Sequence, residues 1–494
     1  MTAQPTHTQN RNGFPAAGVS RVARPFPART SFPRTGAIPR RPLYRAGPRR
    51  AIARPRTAPL LLLLAASLAW PVQVCGGIYD LPGLGARAVA LGGAYTALAH
   101  DFTSVYYNPA GLSGEPESSM TLGGVWAKPS FHYREAGGPD QVPKLYAVGG
   151  AYFGVATNLA HLTGYDQLAP WTLGISLYMP LERALLVDIP TSSMNRSFVF
   201  YRDQSQVLSF LVGVSWRVLD WLSVGVSGNF LADLRAPNEA FVDVDIRTVV
   251  PYLFQLGELV KEVRPRIMRD AKMKVAPVVG VLADPAAWLR LGVTYRGKFY
   301  AETVGTQDIV LRFYDFSQGV PALDITTAVL ADIHYVHFWN PHQVSVGVAF
   351  SPAASLWVAL DLTWAEWSDY RDPMRTRPQP GFSDTFTPRL GLEYALPGGI
   401  VLRTGYFFQP SPVPEQTQAS NYLDNDKHVV SAGIGYTFPR LPWIPIWKKP
   451  LTVEGFFQYT HLVTRTYHKE PGFGDSLSMG GYMLYAGASL QLHY

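Results

Sequence analysis

The chain has 494 residues, of which 47% are hydrophobic, 13% aromatic and only 16% charged, against roughly 25% charged in an average soluble protein. Its 12 Trp, 26 Tyr and 25 Phe exclude disorder over most of the length, and its single cysteine, Cys75, excludes a disulfide framework or a multi-cysteine metal site. The formal net charge of +7 is misleading: residues 1–57 hold 12 Arg and no acidic residue, and without them 31 basic face 36 acidic residues. The body is mildly acidic, and the positive charge is no argument for a nucleic-acid partner.

The first predicted element is a targeting segment. Arg49, Arg50, Arg54 and Arg56 precede the apolar run Ala58 to Trp70, which ends in the small-residue pattern Ser67-Leu68-Ala69. A basic flank, a short apolar stretch and a small-residue exit describe a secretory signal peptide over residues 49–75, with cleavage expected after Ala69. The run is shorter than the ~20 residues of a transmembrane helix. Val74 argues against lipidation of Cys75, because that processing wants a small residue there. Upstream, residues 1–48 have no apolar period, which predicts a disordered extension or a start codon assigned too far upstream.

After Trp70 no stretch of 18 apolar residues occurs, yet the body is as hydrophobic as many membrane proteins. Backbone groups in lipid must be satisfied internally, which leaves a closed barrel once helices are absent. Period-2 alternation follows in segment after segment. Trp171, Leu173, Ile175, Leu177 and Met179 alternate with Thr172, Gly174, Ser176 and Tyr178. Phe210, Val212, Val214 and Trp216 oppose Ser209, Gly213 and Ser215, and Leu289, Leu291, Val293 and Tyr295 oppose Arg290, Gly292, Thr294 and Arg296. Alternation alone does not separate a membrane barrel from a soluble sandwich. The non-apolar face, however, is Gly and Ser with isolated charges, Asp361, Arg389, Glu393, Arg403 and Glu454, which suits a confined lumen.

Connection lengths add a second argument. Short links at residues 218–221, 284–287, 351–355 and 397–399 alternate with long ones at 182–205, 232–272, 370–384 and 409–426, the asymmetry of outer-membrane barrels. Counting from Ser118 gives 14 strands, with 323–351 readable as one long strand broken near Pro341. In the last segment Tyr482, Leu484, Ala486, Ala488, Leu490, Leu492 and the terminal Tyr494 share one face. A final strand ending in an aromatic resembles the assembly signal read by the barrel-assembly machinery.

Between signal and first strand lies GARAVALGGAYTALAHDFTSVYYNPAGLS, Gly85 to Ser113, with Asn-Pro-Ala at Asn108, Pro109 and Ala110. This segment, together with Asn340 to Tyr370 and Leu423 to Phe438, resembles the FadL/TodX family of outer-membrane transporters of long-chain fatty acids and other hydrophobic compounds. The resemblance implies an all-β, 14-stranded antiparallel transmembrane barrel (residues 117–494), its lumen plugged by an N-terminal hatch (residues 76–116). It also implies capture of substrate by extracellular loops, hatch-gated passage and lateral release, with no cofactor, no energy coupling and a monomeric state in outer-membrane lipid. Gly92 and Gly93 permit tight turns, and Pro109 restricts Asn108, which makes Asn108 to Ala110 the expected switch; the alternative is a plain turn into the first strand.

In the long loop after Phe230, Leu253, Leu256, Leu259, Val260 and Val263 recur at helical spacing behind Pro251. An extracellular apolar stripe there would receive an acyl chain, with Lys261, Arg264, Arg266 and Arg269 near enough to steer a carboxylate; a stripe packed on neighbouring loops reads equally well. No Gly-x-Ser-x-Gly or His-Glu-x-x-His supports a hydrolase. The remaining rivals are an aromatic-hydrocarbon channel and a non-transporting barrel of the same family serving as a shuttle or anchor for secreted proteins.

Overall fold

The computed structural model describes residues 83–115, 118–142, 147–180, 208–232, 274–314, 324–372, 375–418, 420, 422–440, 449–473 and 475–494, with two-residue strand pieces at 197–198, 238–239 and 266–267. The proposed ligand-capture residues Leu253, Leu256, Leu259, Val260, Lys261, Val263 and Arg264 lie outside the described residues.

Fourteen antiparallel strands close into a barrel. In chain order they are β1 (Ser119–Glu135), β2 (Val148–Asn158), β3 (Trp171–Pro180), β4 (Leu208–Leu219), β5 (Leu222–Ala232), β6 (Lys274–Ala286) and β7 (Leu289–Arg296). A further pair, β8 (Phe299–Tyr314) and β9 (Asp324–Asn340), stands outside the ring, which resumes with β10 (Gln343–Ala353), β11 (Leu356–Ala365), β12 (Thr385–Ala395), β13 (Ile400–Gln409), β14 (Lys427–Phe438), β15 (Leu451–Tyr467) and β16 (Leu477–His493). The ring closes where β1 pairs with both β2 and β16, so no ring strand is left with an open edge. Among the described residues no helix is long and apolar enough to cross a membrane.

The alternation runs opposite to that of a soluble protein. Along β3 the small and polar residues Thr172, Gly174, Ser176 and Tyr178 are buried, whereas Trp171 through Met179 on the other face are half-buried or exposed. Val226, Leu291, Val293, Val346, Leu360, Val430 and Ile434 are likewise exposed on their strands. A contiguous apolar surface of this extent is tolerable only against hydrocarbon. Two aromatic girdles bound it: Trp171 stacked on Trp216, with Trp221, Trp288 and Tyr494, at one end, and Tyr295, Tyr406 and Phe386 toward the other.

Short turns join β4 to β5, β6 to β7, β10 to β11 and β12 to β13, all at the end where both termini of the barrel meet, Tyr494 N donating to Ser118 O at 2.9 Å. That end is periplasmic by the rule of short inner turns. The stretch readable as one long strand broken near Pro341 does break there, into β9 and β10: β7 and β8 face β10 and β9 in continuous hairpin register, interrupted at Gly297–Lys298 and at Pro341–His342. Pro341 has no amide to donate, so the ladder breaks there, and β8 and β9 carry the hairpin beyond the wall.

Candidate functional site

Residues 83–115 fill the lumen. They fold as helix α1 (Ala86–Ala90), a double-glycine turn, helix α2 (Ser104–Tyr107) and a 3₁₀ turn at Pro109–Gly114. Alanine predominates in the first half, and the small side chains let its backbone approach the wall. Gly92 and Gly93 take φ of 64° and 71°, a region that side chains other than glycine's rarely adopt, and reverse the chain after α1.

The wall answers with glycines of its own. An added Cβ at Gly280 would run into Asn108 Oδ1, at Gly225 into Pro109, at Gly292 into Thr96 O, at Gly405 into Gly92 N and at Gly154 into the ring of Phe102. These strand glycines have ordinary extended backbones; close approach of the hatch, not φ, requires them. Several face one another across the ladder, Gly225 against Gly280, Gly292 against Gly347 and Gly391 against Gly405, so they form a belt around the plug.

Asn108 is fully buried at the centre of this seat. Its Nδ2 donates to Thr96 O at 2.8 Å and to Val281 O of β6 at 3.1 Å, and its Oδ1 accepts from Ala110 N at 3.2 Å, capping the 3₁₀ turn that opens at Pro109. All five predicted hatch residues, Gly92, Gly93, Asn108, Pro109 and Ala110, lie in this lumen segment, but in two separate places. The two glycines and the tripeptide are pressed on opposite parts of the wall, Gly92 on β13 and Asn108–Ala110 on β5 and β6.

Two kinds of fastening hold the halves. The α1 half is held by charge: Arg87 makes a two-pronged pair with Glu393 of β12, 2.7 Å in each prong, Arg403 of β13 reaches Glu393 at 2.7 Å and Glu454 of β15 at 2.8 Å, and all four side chains are nearly buried. Asp361 of β11 accepts the amides of Tyr95 and Thr96 at 3.0 and 2.8 Å, and Arg389 donates to Gly92 O at 3.0 Å. The Asn108 half is held by hydrogen bonds to its backbone and hydroxyl groups: Ser227 donates to Val105 O at 2.6 Å, Ser113 to Ser223 at 2.6 Å, Arg296 to Tyr106 O at 2.7 Å, and Arg217 to Ser113 O. Asp361, Arg389, Glu393, Arg403 and Glu454 lie on the lumen face that the alternation predicts, whereas nothing local in the sequence distinguishes Arg87, the partner of Glu393, from the other arginines.

A second feature has no local signature in the sequence. From Trp367, Tyr370 and Phe382 in the loops at the far end, through Met479, Met483 and Tyr485 on the lumen face of β16, to Phe102, Val105 and Leu112 of the hatch, buried apolar side chains form one continuous cluster. At its mouth Tyr370 stacks on Phe382 with ring centres 4.7 Å apart, Trp339 from the base of β9 meets Tyr370 edge-on at 5.2 Å, and Tyr422 meets Phe382 edge-on at 5.5 Å. A water-filled porin would line this space with polar groups.

Comparison with known proteins follows the same lines. Residues 79–442 match the family described as outer membrane protein transport protein (OMPP1/FadL/TodX). Alkane uptake protein A of Marinobacter nauticus is 22% identical over 444 residues, 84% of this chain and 91% of that protein. The long-chain fatty acid transport protein of Escherichia coli is 24% identical over 170 residues, 32% of this chain and 37% of that protein. Among solved structures, a Pseudomonas aeruginosa FadL homologue superposes with a TM-score of 0.55 at 15% identity, covering 85% of this chain and 99% of that one, and the Pseudomonas putida toluene transporter TodX with a TM-score of 0.55 at 16% identity, covering 84% and 99%. The structural likenesses speak for the fold alone. The chain therefore belongs to the outer membrane protein transport protein (OMPP1/FadL/TodX) family, β-barrels of the bacterial outer membrane that carry hydrophobic molecules and are not enzymes.

Proposed function

We propose that the protein takes up long-chain hydrophobic molecules, fatty acids or alkanes, by passive diffusion: capture at the extracellular loops, passage along the lumen, displacement of the Asn108–Ala110 segment and lateral release into the membrane. The observation that carries this reading is the continuous apolar cluster from Trp367 to Leu112. Each methylene moved from water onto such a surface gains about 0.8 kcal/mol, whereas an aqueous pore offers a hydrocarbon chain nothing. The unequal fastening of the hatch supports the choice of switch, because Asn108 is held by neutral hydrogen bonds and Arg87 by a buried ion pair. The relative matched over most of this chain is named for alkane uptake, and the one matched over a shorter stretch for long-chain fatty acids. Leu253, Leu256, Leu259, Val260 and Val263, with Lys261 and Arg264, are assigned to capture in the long loop after β5. Residues 49–75 are assigned to export, and the barrel is assembled by the barrel-assembly machinery and works as a monomer.

The test is uptake of labelled oleate and labelled hexadecane by cells carrying the protein in their outer membrane, beside a variant with Asn108, Pro109 and Ala110 replaced. Saturable uptake of either compound, lost in a variant that still shows the heat-modifiable mobility of a folded barrel, supports hatch-gated transport. Uptake equal to that of empty cells for both sinks it, and toluene uptake followed by a search for a secreted protein partner come next.

A further inference from the structure

Where β7 passes into β8, Lys298 leaves the wall and meets the 3₁₀ turn Trp367–Asp369 that follows β11. Its Nζ lies 2.6 Å from Asp369 Oδ2. Two arginines of the same loop converge on the other oxygen of that carboxylate, Arg377 at 3.1 Å and Arg371 at 3.7 Å. Three cations thus share one carboxylate. Two further acids of the loop are directed elsewhere: Asp372 accepts from Thr376 and from the Tyr422 hydroxyl, and Asp384 accepts from Ser368 N. Arg371 and Arg377 remain 39% and 56% exposed, while Trp367 and Tyr370 beside them on the chain are buried in the mouth.

The cluster sits at membrane height. Lys298 N donates to His342 Nδ1 at 3.0 Å, and the same nitrogen lies 2.8 Å from the hydroxyl of Tyr295, a ring of the outer girdle that is 40% exposed on the lipid-facing side. Tyrosine of a girdle marks the headgroup level. We propose that Lys298, Arg371 and Arg377 form a site for a phosphomonoester on the headgroup of an outer-leaflet lipid, standing against this rim of the barrel. A phosphomonoester carries between one and two negative charges and three acceptor oxygens, which matches two exposed guanidinium groups presented side by side. Guanidinium pairs with phosphate in two parallel hydrogen bonds, a geometry lysine does not reproduce. Because Lys298 and Asp369 belong to the hairpin base and to the aromatic mouth respectively, a lipid bound here clamps the two together.

The experiment is native mass spectrometry of the full chain in detergent with diphosphoryl lipid A, the same lipid dephosphorylated, and inorganic phosphate. The wild type is expected to retain one diphosphoryl lipid per chain and to bind the dephosphorylated lipid at least about ten-fold more weakly, the loss of one or two charge-assisted contacts. The double variant Arg371→Ala, Arg377→Ala is expected to show the same loss, and Arg371→Lys, Arg377→Lys to fall between, with heat-modifiable mobility reporting that each is folded. Equal binding of both lipids, or full binding by the double alanine variant, overturns the site. Inorganic phosphate held as tightly as the lipid overturns its assignment to a membrane lipid.

Discussion

At the scale of single residues the lumen is organised around two devices, absent side chains and paired charges. Gly280 and Gly405 lie where a Cβ would strike Asn108 and the backbone of Gly92. Gly280→Val and Gly405→Val are expected to push the hatch off its seat while leaving the wall paired, read as folded barrels whose hatch becomes accessible to protease. Arg87 pairs with Glu393 under nearly complete burial, so Arg87→Ala leaves a buried carboxylate short of a partner and is expected to cost about 3 kcal/mol. The double change Arg87→Met, Glu393→Met is expected to recover part of this, measured by denaturant unfolding in detergent. Asp369 tests the paired charges at the mouth. Burial opposes its charge, but hydrogen bonds from Lys298 and Arg377 outweigh it and hold the carboxyl below the usual carboxylate range. A depressed carboxylate stabilises the folded state above its unfolded pKa, and the contribution is lost as pH falls through the folded value. The clamp between hairpin base and mouth is therefore expected to hold at neutral pH and to open only in acid below that range. Asp369→Asn opens it at neutral pH, followed by proteolysis of the β8–β9 hairpin.

At the scale of elements the strands were far more legible than the site. Period-2 segments, short turns at 218–221 and 284–287 and an aromatic last residue gave the strand number and orientation, because each is a local consequence of putting one face in lipid. The Gly- and Ser-rich face with its isolated charges pointed to the lumen, and burial agrees, with Ser176 and Thr172 inside and Leu177 turned out. The fastenings of the hatch were not legible, since Arg87 and Glu393 lie 306 residues apart and their meeting depends on closure of the ring. The aromatic mouth was equally hidden: Trp339 comes from β9, Trp367 and Phe382 from the loop after β11 and Tyr422 from the segment before β14, with no shared spacing. The contrast between halves of the hatch yields a further expectation. Asn108→Ala removes three hydrogen bonds from the yielding half and is expected to loosen residues 108–114 while α1 stays protected, read by amide exchange peptide by peptide.

At the scale of the whole molecule, the barrel is an inverted protein, with hydrocarbon-compatible side chains outside and a mixture of fixed charge and apolar path within. The two interior textures adjoin, the ion pairs of Arg87, Glu393, Arg403 and Glu454 lying beside apolar side chains that run from the mouth to Leu112 and Val89. A solute without charge is expected to follow the apolar side chains. Uptake of hexadecane is accordingly expected to be insensitive to salt, while any carboxylate-bearing substrate gains from the basic rim at low ionic strength and loses that gain as salt screens it, measurable as initial uptake rates across a salt series.

The glycine belt has an electrical consequence. At several points around the plug the wall presents glycine backbone, and the hatch fills the space so left. Excision of residues 83–115 would open the bore along that belt. In planar bilayers the intact protein is expected to be electrically silent and the excised one to conduct large, poorly selective currents, and cells carrying it should become sensitive to bulky antibiotics that the outer membrane ordinarily excludes.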